Sequence, residues 1–371
     1  MRMALQAALL RPLIAPRYFY IQGPLLVRQS RTVASCAGGI EEQTLPFYHK
    51  RRYYPVRIGQ TFRNQYRIIA KLGYGAYSTV WLAWDDISSQ YTTLKICVQT
   101  RGAETSPILN EINMLRRLKK HADEFDRPGP CFTRLARDIF EIDGPHGRHV
   151  CISFKTQGAS LRAMQSLFPN AQLPRLLVRS LVHRLFFSVN WLHATCGVVH
   201  TDISPMNVLS EMGDEDCLKD VEINERDIPS VPINDANGHP VYRSTELPLE
   251  LSGVPILADF GQMLPVEKCT SDVWCMPDLY RAPEVLLKLP FGFSADMWSI
   301  GVMARLGNWA SEPPIPNTSL EEFVTTISPG EEKDQFLRFI RKLLTWDPEV
   351  RATTNEIYPD EWLMRQHEDM W

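Results

Sequence analysis

His200-Thr201-Asp202, with Asn207 five residues beyond Asp202, is followed by Asp259-Phe260-Gly261 and then by Ala282-Pro283-Glu284. Upstream of all three stand Gly73-Tyr74-Gly75-Ala76-Tyr77-Ser78 and Lys95. An aspartate can take a proton from a hydroxyl, and an amide and a second carboxylate can hold a hard cation through oxygen. A lysine and a glycine-rich turn can face phosphate oxygens. Together these are the parts of a phosphoryl-transfer site. Each string alone is a weak signal; the order and spacing give them weight.

Asp202 is the candidate base, and Asn207 the candidate metal ligand that also holds the loop. Asp259 is the candidate ligand for Mg²⁺ bridging the phosphates. Asp-Phe-Gly is a common turn, but here it follows the apolar run Pro255-Ile256-Leu257-Ala258 and stands 23 residues before Ala282. Gly73 and Gly75 lie between two predicted strands. That context argues against a dinucleotide-binding turn, which needs a helix, and for a hairpin whose N–H groups cover the phosphates of ATP. Ser78 replaces the third glycine of that pattern. Lys95 sits in the apolar strand segment TTLKICV and needs a partner, which Glu111, sixteen residues on in a predicted helix, can supply. Taken singly, the hairpin and the lysine are more often structural. Glu284 and Arg351 are expected to form a buried ion pair. Asp296 is expected to start a helix and cap N–H groups of the Asp202 loop.

The elements that must position these groups change character along the chain. Alternation and β-branched residues predict strands over 66–85, 91–98, 131–140 and 149–154, with one amphipathic helix over 108–118. Helices are predicted over 174–193, 295–308 and 331–345. The polar, acidic stretch 211–250 reads as a long loop or a small insertion. The fold class expected is α+β and two-lobed: a β-rich N-lobe over 66–155 and a larger helical C-lobe over 156–365. An arm over 41–65 and a leader over 1–40 precede them.

Net charge is −3 over 371 residues, so the total points neither to nucleic acid nor to membrane, and no run of 18 apolar residues predicts a span. The eight cysteines form no C-x-x-C pair, which favours reduced, buried thiols in an intracellular protein. Residues 1–40 hold five arginines and no acid, the composition of a mitochondrial transit peptide or of a disordered basic tail.

The runs YYPVRIGQTFRNQYRIIAKLGYGAYSTVWLAWD, HTDISPMNVL and YRAPEVLL resemble the SR-protein kinase (SRPK-type) family of eukaryotic Ser/Thr protein kinases, and most of all its fungal SRPK-like branch. The resemblance covers about residues 45–365. It implies ATP and Mg²⁺ in a cleft between the lobes and a protein substrate rich in arginine and serine. It also implies that Leu72, Gly73, Gly75, Val80, Lys95, Glu111, Phe154 and Thr156 surround the nucleotide, with 155–157 as the hinge. Cytoplasm or nucleus is the compartment the family implies; the leader leaves the mitochondrion open, and the oligomeric state is open too.

Several positions depart from the family. Ser204 replaces the catalytic-loop lysine, whose charge would face the transferred phosphoryl group. Pro277 replaces the substrate-loop threonine, Thr93 the alanine before Lys95, and Thr201 the loop arginine, the last as in other family members. Met206 precedes Asn207. A region at about 304–312 is short where the family carries an insert that docks basic substrates. Two readings follow: an ATP-dependent protein Ser/Thr kinase, favoured because base, metal ligands and lysine are all present, and a pseudokinase that binds ATP or partners without efficient transfer. A small-molecule phosphotransferase is disfavoured, because Tyr280-Arg281-Ala282-Pro283-Glu284 is the kind of loop that holds a peptide.

Overall fold

The structure is a computed structural model that describes residues 39–99, 106–124, 128–235, 238–247, 253–305, 319–324 and 327–365. The leader over 1–40 and the short region at about 304–312 lie almost wholly outside the described residues.

Six antiparallel strands form the N-lobe sheet: β1 (Thr61–Phe62), β2 (Tyr66–Gly75), β3 (Ser78–Asp85), β4 (Gln90–Cys97), β5 (Ala136–Gly144) and β6 (Gly147–Lys155), in the order β1-β2-β3-β4-β6-β5. The register sorts side chains by the two-residue period of a strand. Val80 pairs with Lys95 and Leu82 with Thr93 on one face, while Trp81 pairs with Leu94 on the other. That second face carries a core of Val56, Phe62, Tyr66, Ile68, Trp81, Leu94, Ile96 and Phe140. Helix α1 (Pro107–Glu124) buries Ile108, Ile112, Leu115 and Leu118, a stripe at helical spacing, and is longer than the 108–118 expected because its C-terminal turns are polar. The strand expected over 131–140 begins only at Ala136. Gly129–Phe132 is a 3₁₀ turn, and Pro128 and Pro130 deny that stretch the donors a ladder needs.

The C-lobe is built on α2 (Arg175–Ala194), which starts directly after Pro174 and buries Leu181, Leu185, Val189, Trp191 and Leu192. Short pairs of strands flank the site: β7 (Val198–Val199) with β12 (Leu264–Pro265), and β8 (Val208–Ser210) with β11 (Pro255–Leu257).

The stretch expected as a loop over 211–250 contains helix α3 (Asp216–Asp227) and a hairpin of β9 (Ile233–Asn234) and β10 (Pro240–Val241). Only Leu218 and Val221 of α3 are buried, too few to raise a periodic signal in an acidic segment, yet they seal against Ile69, Leu82 and Tyr91. Tyr242 reaches the opposite face and packs on Trp81, ring centroids 6.0 Å apart, and Thr245 N–H donates to Lys71 O at 2.7 Å. The insertion thus clasps the β2 edge of the N-lobe sheet from both faces.

Helices α4 (Phe293–Arg305) and α5 (Glu331–Leu343) complete the C-lobe, with Phe336, Phe339 and Ile340 packed among Phe186 and Trp362. The described cysteines are free thiols; most are buried as expected, but Cys131 is exposed because it lies in the 3₁₀ turn rather than in a strand.

Candidate active site

The N-lobe half of the site follows from the strand register. Gly73 lies opposite Val80, Val80 opposite Lys95, and Lys95 opposite Ile152, so the glycine hairpin and the lysine share one row across the sheet. Lys95 Nζ donates to both Glu111 oxygens, at 2.6 and 2.7 Å. Burial by itself would drive Lys95 toward its neutral form, but the charges of Glu111 and then Asp259 outweigh it and hold the ammonium well above its ordinary range. Helix α1 supplies Glu111 because its apolar stripe docks on the core; one residue of register either way would turn the carboxylate off the lysine.

Thr93 pairs with Phe154 across the β4–β6 ladder, and its hydroxyl lies 3.3 Å from that of Thr156. The threonine that departs from the family is therefore tied to the segment expected as the hinge. Leu72 is half-buried at the margin of the cluster formed by Leu82, Tyr91 and α3.

The C-lobe half is carried by two loops. Asn207 Nδ2 donates to Asp202 O and to Asp202 Oδ2, each at 2.8 Å. Asp202 N–H in turn donates to His200 Nδ1 at 3.2 Å, and His200 Nε2 faces Ala258 O at 3.2 Å. These partners define the tautomer with hydrogen on Nε2, and burial, which lowers the pKa of His200, keeps the ring neutral. The Asp202 carboxyl is pushed up to about 6, by burial first and then by the neighbouring charge of Asp259, with the Asn207 hydrogen bond opposing. Burial also presses Asp259 upward, but Lys95 and the Gly261 N–H outweigh it and hold Asp259 below the ordinary carboxylate range. The proton affinities of the two carboxyls are thereby driven apart, that of Asp202 raised and that of Asp259 lowered.

Asp296, fully buried at the start of α4, accepts from His200 N–H at 2.7 Å and Thr201 N–H at 2.9 Å, as expected of a loop cap. Glu284 and Arg351 form the expected buried pair, two parallel bonds of 2.7 and 3.1 Å. Ser204 is buried and brings no charge to the loop, and Met206 is exposed.

Sequence reasoning missed three groups. His193 Nε2 pairs with Asp296 Oδ2 at 2.9 Å and so fixes the cap. The Arg134 guanidinium lies 4.3 Å from the Phe154 ring. Lys71, buried in β2, pairs with Glu42 and Glu41 of the arm. The signal for Lys71 was the one used for Lys95, a lysine inside an apolar strand.

The donor set fits Mg²⁺. Asn207 spends its amide nitrogen on Asp202, which leaves its amide oxygen for a cation, and Asp259 adds an ionised carboxylate. Among the described residues no group of three or more His, Cys, Asp or Glu could enclose a metal. Mg²⁺ is commonly held by one or two protein oxygen ligands and completed by substrate phosphates and water.

The family model for the protein kinase domain matches residues 66–363. A serine/threonine protein kinase of Aspergillus fumigatus is 28% identical over 94% of this chain and 98% of its own length. The serine/threonine-protein kinase SRPK of Physarum polycephalum is 32% identical over 71% of this chain and 65% of its own. SRSF protein kinase 3 of Mus musculus is 36% identical over 47% of this chain and 30% of its own.

Proposed function

The chain belongs to the protein kinase family, and from that membership we propose that it transfers the γ-phosphate of ATP to serine or threonine hydroxyls of arginine- and serine-rich proteins. The observation that carries this reading is the assembled site: the Lys95–Glu111 pair on one lobe and Asp202, Asn207 and Asp259 on the other. Lys95, fixed by Glu111, orients the nucleotide phosphates. Asp202, with a raised pKa and an Asn207 bond to hold its rotamer, accepts the hydroxyl proton. Asn207 and Asp259 would hold Mg²⁺, whose charge would offset that of the phosphates. Gly73, Gly75, Leu72 and Val80 cover the nucleotide from above, and Phe154 and Thr156 bound it toward the hinge.

Ser204 costs rate without removing any of these parts, so the reading is an active enzyme rather than a binding scaffold. The working unit is the N-lobe over 66–155 with the C-lobe over 156–365. No described helix is long and apolar enough to cross a membrane, and the family resemblance supports cytoplasm or nucleus.

The test is phosphate transfer from labelled ATP by the full chain, to an arginine–serine repeat peptide and to a generic basic protein. Transfer that prefers the repeat peptide and is lost in Asp259→Asn is the expected result. ATP binding without transfer to either would replace the enzyme with a pseudokinase.

A further inference from the structure

The arm that precedes β1 grips the glycine hairpin at three points. Tyr53 is buried, and its hydroxyl lies 2.7 Å from Gly75 O and 3.0 Å from Ala76 O, the carbonyls at the hairpin tip. Its ring belongs to the same hydrophobic core as Cys97 and Val98 and as Ile108 and Ile112 of the helix that carries Glu111. Phe47 packs on Tyr77, ring centroids 5.6 Å apart. At the base of the hairpin, Lys71 is ion-paired to Glu42, and its ammonium lies 5.2 Å from the Tyr74 ring. Main-chain bonds close the grip: Gln99 N–H donates to Arg52 O and Val98 N–H to Tyr77 O, each at 2.8 Å.

The hairpin has little packing of its own. A Cβ built at Gly73 or Gly75 would meet nothing within 4 Å. The ladder pairs Gly73–Val80 and Gly75–Ser78 hold the strands, but no side chain at either glycine helps to set the peptide planes of the tip between them. A plane that turned its carbonyl toward the substrate would set a partial negative charge against phosphate, whereas the N–H is the favourable partner.

We propose that the arm is a strap that fixes the glycine hairpin for phosphate binding, with Tyr53 as the positioning residue that holds the Gly75 and Ala76 carbonyls away from the nucleotide. The proposal rests on the kinase reading above. It makes the residues before β1 part of the site rather than a linker, and it couples the hairpin to α1, so that the lysine–glutamate pair and the hairpin are set together.

The strap acts on phosphates and not on the base, and that separates it from a merely structural role. Full-length chain is titrated with Mg–ATP and, separately, with adenosine, for the wild type, Tyr53→Phe and Phe47→Ala. Tyr53→Phe keeps the ring in the core and removes only the donor; Phe47→Ala strips a half-buried ring contact. A hydrogen bond of ordinary strength sets the expected loss of ATP affinity at about threefold to tenfold, with adenosine unchanged and the melting temperature nearly so. Equal loss for ATP and adenosine, or no loss for either variant, would overturn the strap. A wild type that binds neither ligand would overturn the nucleotide site itself and the strap with it.

Discussion

Asp259 and Thr201 hold φ of 65° and 64°, a region that non-glycine residues occupy at a cost of about 1–3 kcal/mol. The surroundings impose it. Thr201 gives its N–H to Asp296 and its hydroxyl to Gln262 O at 2.7 Å, and Asp259 Oδ1 accepts from Gly261 N–H at 3.3 Å. Asparagine tolerates this conformation far better than alanine does, so Asp259→Asn removes the charge without adding strain. Transfer is expected to fall by about 10²-fold or more, as for loss of a group aimed at developing charge, with the melting temperature held. Unchanged turnover would remove Asp259 from the mechanism. Ser204→Lys restores a cation where the family has one, and kcat is expected to rise by about tenfold; a flat response would mean that another group already meets that charge. At this scale the contacts were legible where spacing along the chain implies them: Lys95 pairs with Glu111, and Asn207 holds the Asp202 loop. Those of His193 and Arg134 were not, because their partners are set by packing between segments distant in the chain.

An element is legible when its apolar stripe is long enough to count. Helix α2 and strands β2, β3, β4 and β6 met that condition, while α3 offers two buried residues in twelve and reads as loop until Leu82 and Tyr91 are seen beside it. Glu222 of α3 is also tied to Arg67 at 3.0 Å and to the Tyr91 hydroxyl at 2.6 Å. Leu218→Ala should cost about 2–3 kcal/mol, near the lower end for a buried leucine, because the cluster is small. Limited proteolysis should then cut within 211–250 sooner than in the wild type; an unchanged cleavage rate would show that the clasp does not depend on Leu218. The Glu284–Arg351 pair joins the substrate loop to the C-terminal turns, and both groups are buried. Glu284→Gln leaves the guanidinium without its countercharge and should cost about 3–5 kcal/mol, read as a fall in the urea midpoint. A midpoint within error of the wild type would mean that the carbonyls of Thr345 and Ser294, which also receive Arg351, suffice.

Across the whole molecule, buried titratable groups give stability a predictable dependence on pH. Burial lowers the pKa of His149, His183 and His200 in both lobes, with the Arg184 charge adding to the effect at His183. For such a histidine the unfolded chain takes up its proton near pH 6.5, while the native chain still refuses it. Its stabilising contribution is therefore whole above the unfolded pKa and is lost as pH falls below it. Asp202 acts in the opposite sense: raised to about 6, it binds its proton in the native chain before the unfolded chain does, and so gains stability as pH falls toward 4. Three histidines set against one carboxyl leave a net loss on acidification. Each unmatched proton is worth at most about 1.4 kcal/mol per pH unit, and half-buried His183 less than that because water screens it. The lowered Asp85, Glu222 and Asp259 add their loss only below the ordinary carboxylate range, so acid unfolding should come in two stages. Urea midpoints measured at pH 7, 6 and 5 should decline before the lowered carboxyls of Asp85, Glu222 and Asp259 titrate. His200→Asn should shrink that first decline, since the ring joins the Asp202 loop to Ala258 and is the most deeply buried of the three. Midpoints that stay level from pH 7 to 5 would mean that the histidines protonate in the native chain and that the neutral His200 tautomer beneath the Asp202 loop is wrong.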